Sequence, residues 1–214
     1  MALPMTQTGD FTPIIKYDSR AGRFYRMDRH QDVQGKYSST PVEIKFQAAM
    51  DFTALEVGWI AFKLGVPTFS LVPFSQSGSK LPPKPFDDDR EASEKFRAGF
   101  RVPVLIDIDG TKEVRRFSHS AGGVYKAFST LHDAYLASPE AVDAGKAPVV
   151  VVVKTEAIKS IKNGSINHYP VFSIVKWVDR PFEFDALRDS TQGVSADKPH
   201  PEEPGSDDED TLPF

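Results

Sequence analysis

VVVVVKTEAIKSIKNGSINHYPVFSIVKWV, running from Val149 to Val178, reads as two β-strands folded back on each other. Val149 to Val153 is the longest apolar run in the chain and is strand-sized, built of β-branched residues that pack well when extended. Asn163-Gly164 is a two-residue hairpin signal, because the tightest hairpin turns need positive φ at both central positions. With side chains alternating along the return strand, Val171, Val175 and Trp177 share one face, which predicts Trp177 in the core. Phe172, Ile174 and Lys176 share the other.

Upstream, Val102 to Ile108 is a second strongly apolar strand, turning at Asp109-Gly110 into Glu113 to Phe117. A helix is predicted next, with Ser118 or Ser120 as its cap and Val124, Phe128, Leu131 and Tyr135 on one face, ending before Pro139. Before this unit, Glu43 to Gln47, Leu55 to Lys63 and Thr68 to Phe74 have strand character. Ser75 to Asp89 is rich in proline and reads as a long exposed loop, and Arg90 to Gly99 as a short helix ending at its glycine. Strands, a helix and a closing hairpin with local connections predict a mainly β fold. The expected form is an OB-type Greek-key barrel with one or two helices; a β-sandwich is the alternative.

Charge is unevenly distributed. The 214 residues carry a formal net charge of −4, but seven acids and one lysine lie between Gly193 and Phe214, leaving the rest at about +2. Local basic surface, not whole-chain charge, sets affinity for nucleic acid. The stretch from Lys16 to Lys36 interleaves Arg20, Arg23, Arg26 and Arg29 with Tyr17, Phe24 and Tyr25, the mixture that single-strand binding uses: rings for bases and cations for phosphates. It has little apolar periodicity, and extended or irregular structure lying on the domain is expected, with an ordered strand whose rings pack on the core as the alternative. With no cysteine, disulfides, thiol nucleophiles and thiolate metal sites are excluded. No stretch approaches the roughly 20 apolar residues of a spanning helix, and the first residues lack signal-peptide character, so a cytoplasmic location without membrane association is expected.

The final residues set an acidic run, Asp207, Asp208, Glu209 and Asp210, beside Thr211 and an apolar Leu212, Pro213 and Phe214. An exposed ring after four acids suggests a group that enters a partner's pocket, with the acids held by basic residues around it. This ending resembles the C-terminal tip of bacterial and phage single-stranded DNA-binding proteins, where an acidic stretch, a hydrophobic residue and Pro-Phe recruit replication and repair enzymes. The likeness covers about the last ten residues. The remainder departs from the usual bacterial pattern, which points to a divergent, phage-type member acting in the host cytoplasm; no DNA-contacting residue is carried over by position.

The expected organisation is a basic, aromatic N-terminal segment over residues 1–40, an OB-like DNA-binding domain over 41–187, and a disordered acidic tail over 188–214. The residues themselves nominate Arg20, Arg23, Phe24, Tyr25, Arg26, Trp59, Arg115, Arg116, Lys154, Lys159, Lys162, Tyr169 and Lys176 as DNA contacts. Trp59 follows Gly58, which leaves room for a base, although its alternation with Leu55 and Val57 favours core; of Arg115 and Arg116, only one is expected to reach a groove. His168 beside Tyr169 is a candidate for pH-dependent binding, and at low salt the tail is expected to compete with DNA.

An enzyme is not expected. Asp107, Asp109 and Glu113 have nuclease-like spacing that the turn explains, Asp87-Asp88-Asp89 reads as solvated, and His119, His132 and His168 lack zinc-site spacing. No cofactor or metal is implied. The expectation is a non-catalytic protein that coats single-stranded DNA during replication or recombination, as a monomer or a homo-oligomer. The alternative is an adaptor that carries the same tail and does not bind DNA.

Overall fold

The computed structural model describes residues 13–35, 37–63, 66–77, 80–92, 94–159 and 164–185. Its strands are β1 (Ile14–Asp18), β2 (Arg23–Gln31), β3 (Tyr37–Ile44), β4 (Gln47–Met50), β5 (Glu56–Lys63), β6 (Val66–Pro73), β7 (Arg97–Ile108), β8 (Thr111–His119), β9 (Lys146–Lys159) and β10 (Ile166–Asp179). The helices are α1 (Phe74–Ser77) and α2 (Gly122–Leu136). The fold is mainly β. One mixed sheet runs β10-β9-β4-β7-β8-β1-β2-β3, with β5 pairing the first half of β7 and β6 pairing β5. Among the described residues all pairings are antiparallel except that of β1 with β8. Among the described residues no ladder joins β10 to β3, so the sheet is open.

The turns follow their chemistry. Asp109 and Gly110, at φ 52° and 85°, join β7 to β8 in a conformation that glycine takes freely and aspartate tolerates. Residues of β1, β2, β7, β8 and β9 that alternate toward the interior build the core: Ile15, Tyr17, Phe24, Phe100, Val102, Val104, Phe117 and Val150. Helix α2 covers it with Val124, Phe128, Leu131 and Tyr135, the face expected from its spacing, and Phe100 stacks on Phe128 at 3.7 Å. The cap differs from expectation: Ser118 still belongs to β8, Ala121 occupies the cap position, and its N–H is satisfied by His119 Nδ1 at 2.9 Å.

The N-terminal segment takes the extended form: β1 lies inside the sheet between β8 and β2, and β3 runs through residues 40 and 41. Two other expectations are corrected. Arg97 to Gly99 is strand, not the end of a helix. Gly99 sits opposite Gly58 in the ladder, where a Cβ would come within 2.7 Å of Ile60 Cδ1, so the glycine serves a close approach and not a helix cap. In β10 an irregularity between Ile174 and Lys176, where Val175 is the extra residue, resets the alternation. Trp177 does pack on the core, but with Phe172 and Ile174, while Val175 is turned out.

The long connection between α1 and β7 is pinned. Asp87 is buried, accepting from Lys84 Nζ at 3.0 Å and from the Phe96 N–H at 2.7 Å, and Trp59 Nε1 donates to Pro82 O at 2.8 Å. After β10, Arg180 pairs with buried Asp51 at 2.8 Å and sets Phe184 over Ala49, Leu105 and Val149. The C-terminal turn therefore covers the outer side of the sheet at the Leu105 end of β7.

Candidate nucleic-acid interface

The other end of β7 is open. Residues alternating with Phe100 and Val102 point away from the core, and the registers carry this outward face over seven strands. On β7 it holds Arg97, Gly99, Arg101 and Pro103; Arg101 lies opposite Ser118 of β8, and Pro103 opposite Arg116. Arg116 adjoins Ile14 of β1, Ile14 faces Met27 of β2, and Lys16 faces Tyr25, which in turn faces Glu43 of β3. In the opposite direction Arg101 adjoins Glu56 of β5, and Arg97 adjoins Ile60, which faces Phe69 of β6. Lys16 and Arg97 are exposed, Tyr25, Arg101 and Arg116 half-buried.

Two arrangements preorganise this face. Glu56 grips Arg101 through both carboxylate oxygens, at 2.5 and 2.8 Å, and the guanidinium then lies 5.0 Å from the centre of the Phe69 ring. Arg23 is held by Glu43 at 2.7 Å. Cations fixed this way keep part of their donor set for another acceptor, although the partner carboxylates reduce the net positive field.

The sequence-selected residues divide. Tyr25, Arg116 and Arg23 lie on the outward face. Phe24 and Arg115 do not. Phe24 is a core ring, 4.5 Å from Phe46 and 4.6 Å from Tyr17. Arg115 is 4% exposed and donates to Asp28 Oδ1 and Glu113 Oε2 at 2.8 Å each, and to the carbonyls of Met27 at 3.0 Å and Ile14 at 3.5 Å. Burial removes both from reach of a strand of DNA. Arg26 joins the same cluster through Asp28 at 3.0 Å and alternates away from Tyr25. Trp59 is half-buried on the face opposite Phe69, with Lys84 Nζ 5.9 Å from its ring.

The remainder lie along the closing hairpin or beyond it. Lys154 pairs with Glu156 at 2.6 Å, and Tyr169 donates its hydroxyl to the same carboxylate at 2.5 Å. These bonds, Lys154 first, lower the Glu156 pKa, and the bond to Glu156 raises that of Tyr169. Lys159 is exposed. Lys176 faces away, into a groove of about 520 Å³ lined by Gln47, Leu105, Val149 and Phe182. Arg20 is exposed in the β1–β2 turn, which docks on the free edge of β10: the His168 N–H donates to Ser19 O at 2.6 Å, and His168 Nδ1 lies 3.1 Å from Arg20 O. Lys162 and the tail residues Asp207 to Phe214 lie outside the described residues.

Compared with protein families, curated proteins and solved structures, the chain gives no match.

Sequence reasoning missed Lys16, Phe62, Phe69, Arg97 and Arg101. The signal for the arginines was present in Arg97-Ala98-Gly99-Phe100-Arg101, where two cations alternate with apolar residues at strand period. Reading Gly99 as a helix end concealed it. His119 contributes nothing to the face; burial pushes its pKa down to about 4, against which a backbone hydrogen bond with Tyr17 acts weakly. Among the described residues, no three His, Asp or Glu side chains converge as metal ligands, and no helix is long and apolar enough to cross a membrane.

Proposed function

We propose that this chain is a non-catalytic protein that binds single-stranded DNA without sequence preference and recruits replication and repair enzymes through Asp207 to Phe214. In this reading the body is an OB-type barrel. Its first strand is β4 and β5, broken at Phe52–Ala54; β7 and β8 are the second and third, α2 follows, and β9 and β10 are the fourth and fifth. β1 takes the position beside β8 where the fifth strand of a simple barrel would pair, and the β1–β2 turn reaches β10 in its stead.

The observation that carries the reading is the outward face of β7, β8, β1 and β2. Arg97, Arg101, Arg116, Lys16 and Tyr25 share it while the residues between them are core, so one continuous surface offers cations for phosphates and a ring for a base. Cations that meet phosphates favour salt-sensitive binding over sequence readout. The protein acts in the cytoplasm in this account.

The test is fluorescence-anisotropy titration of a labelled dT oligonucleotide of about 30 nucleotides against duplex of equal length, over a range of salt. Tight single-strand binding that weakens steeply with salt supports the reading. A second reading, an adaptor that binds proteins only, is favoured by the carboxylates Glu43, Glu56 and Glu156 that already engage Arg23, Arg101 and Lys154. Absence of single-strand binding at every salt concentration would leave the adaptor.

A further inference from the structure

Strands β5 and β6 continue past the end of β7's pairing as an arm, and the two sides of this arm are treated differently. One side is covered by the connection that follows α1: Trp59, on that side, donates to Pro82 O, and Ala61 is fully buried. The other side carries Phe62 and Phe69, 44% and 37% exposed, around a buried Ile60. Their register is unambiguous, since Ile60 faces Phe69 and Phe62 faces Pro67, so both rings lie on the side of Arg97 and Arg101. Gly58 is what permits the arm. At φ 154° its missing Cβ would fall 2.2 Å from Ser70 O, so β6 lies closer to β5 there than any other residue allows.

We propose that this arm is an auxiliary base-stacking surface that lengthens the path of single-stranded nucleic acid beyond the barrel, with Phe69 and Phe62 as the platforms. The proposal rests on the single-strand reading above and adds to it a site on the hairpin that joins the first and second barrel strands. Phe69 is prepared for the role: Arg101, fixed by Glu56, lies over the ring and limits its motion, and rings held in place stack on bases at low entropic cost. Arg97 and Arg101 stand between the arm and the rest of the face, where a phosphodiester backbone must pass. Arginine and phenylalanine are also enriched at protein interfaces, so a contact with a second copy is the competing outcome that the test separates. From β2 to β6 the face crosses five inter-strand steps, about 24 Å.

The test compares full-length protein with the Phe62→Ala/Phe69→Ala double variant on dT oligonucleotides of about 8 and about 20 nucleotides, lengths that bracket one binding unit. The expected result is about tenfold weaker binding of the longer oligonucleotide, with the shorter one little changed. Phe69→Trp provides a second readout that does not depend on the double variant folding: long single strands should quench the new indole and short ones should not, in a difference spectrum against the parent. Parent binding with no length-dependent loss, or no quenching, overturns the arm and leaves the barrel reading intact. Self-association that disappears in the double variant also overturns it, in favour of a dimer contact. Failure of the parent to bind either oligonucleotide would remove the single-strand reading itself.

Discussion

Replacing Arg115 by methionine separates a structural cation from a DNA contact. The guanidinium is buried and joins β8 to the β1–β2 hairpin through two carboxylates and two backbone carbonyls. Removing one member of a buried ion pair costs about 3–5 kcal/mol, because its partners are left without compensation. Here the side chains of Asp28 and Glu113 are 22% and 34% exposed, so water regains part of both, and the lower end, about 3 kcal/mol, is expected. For a domain of this size that corresponds to a fall in Tm of roughly 6–12 °C. Urea unfolding followed by circular dichroism measures the loss, and Glu113→Gln on the same background should recover part of it, since Asp28 keeps Arg26 as its partner. In parallel, the slope of log affinity for oligo-dT against log salt should stay unchanged. A variant of parental stability whose salt slope falls by about one would refute the assignment and make Arg115 a phosphate contact.

Three further outcomes are expected. His119 has a folded pKa of about 4 against 6.5 when unfolded, so the unfolded chain binds the extra proton between these values; stability is full above about pH 6.5 and falls as pH drops toward 4, by about 3 kcal/mol, and His119→Gln should flatten that limb in urea titrations at several pH values. Gly58→Ala forces a Cβ onto Ser70 O and should cost about 3 kcal/mol by thermal unfolding; a neutral result would mean that β6 can move away without penalty. Ending the chain at Gly205 should leave oligo-dT affinity equal or raised and abolish capture of replication and repair enzymes, and loss of DNA binding on truncation would overturn the proposed division of labour.

What was legible followed from period and turn chemistry. The valine run, the Asp109-Gly110 turn and the Val124, Phe128, Leu131 and Tyr135 face of α2 each rest on local rules that tertiary contacts did not override. Trp177 reached the core by another route: alternation put it with Val175, and an irregularity in β10, invisible to a period-two rule, moved it to the side of Ile174. Phe24 is buried for a reason the sequence does not carry: a basic, aromatic segment looks alike whether its rings lie inside or outside, and only pairing with β8 and β3 fixes which residues alternate inward. Alternation told that only one of Arg115 and Arg116 points outward, and the same pairing decides that it is Arg116. The two strands of the arm were legible in Leu55 to Lys63 and Thr68 to Phe74, but not their close approach, because Gly58 and Gly99 carry a tertiary contact and not a local conformation.

The parallel pairing of β1 with β8 has a consequence for the order in which the molecule is made. Ile14 and Arg115, brought together there, are 101 positions apart. During synthesis β1, β2 and β3 can pair among themselves as soon as they emerge, but the other edge of β1 has no partner until β8 has left the ribosome. At roughly 5–20 residues per second, that interval lasts several seconds to some tens of seconds. Until then an edge of β1 with Ile15 and Tyr17 beside it lacks the strand that covers it in the finished sheet, and an uncovered edge is a template for pairing with another chain.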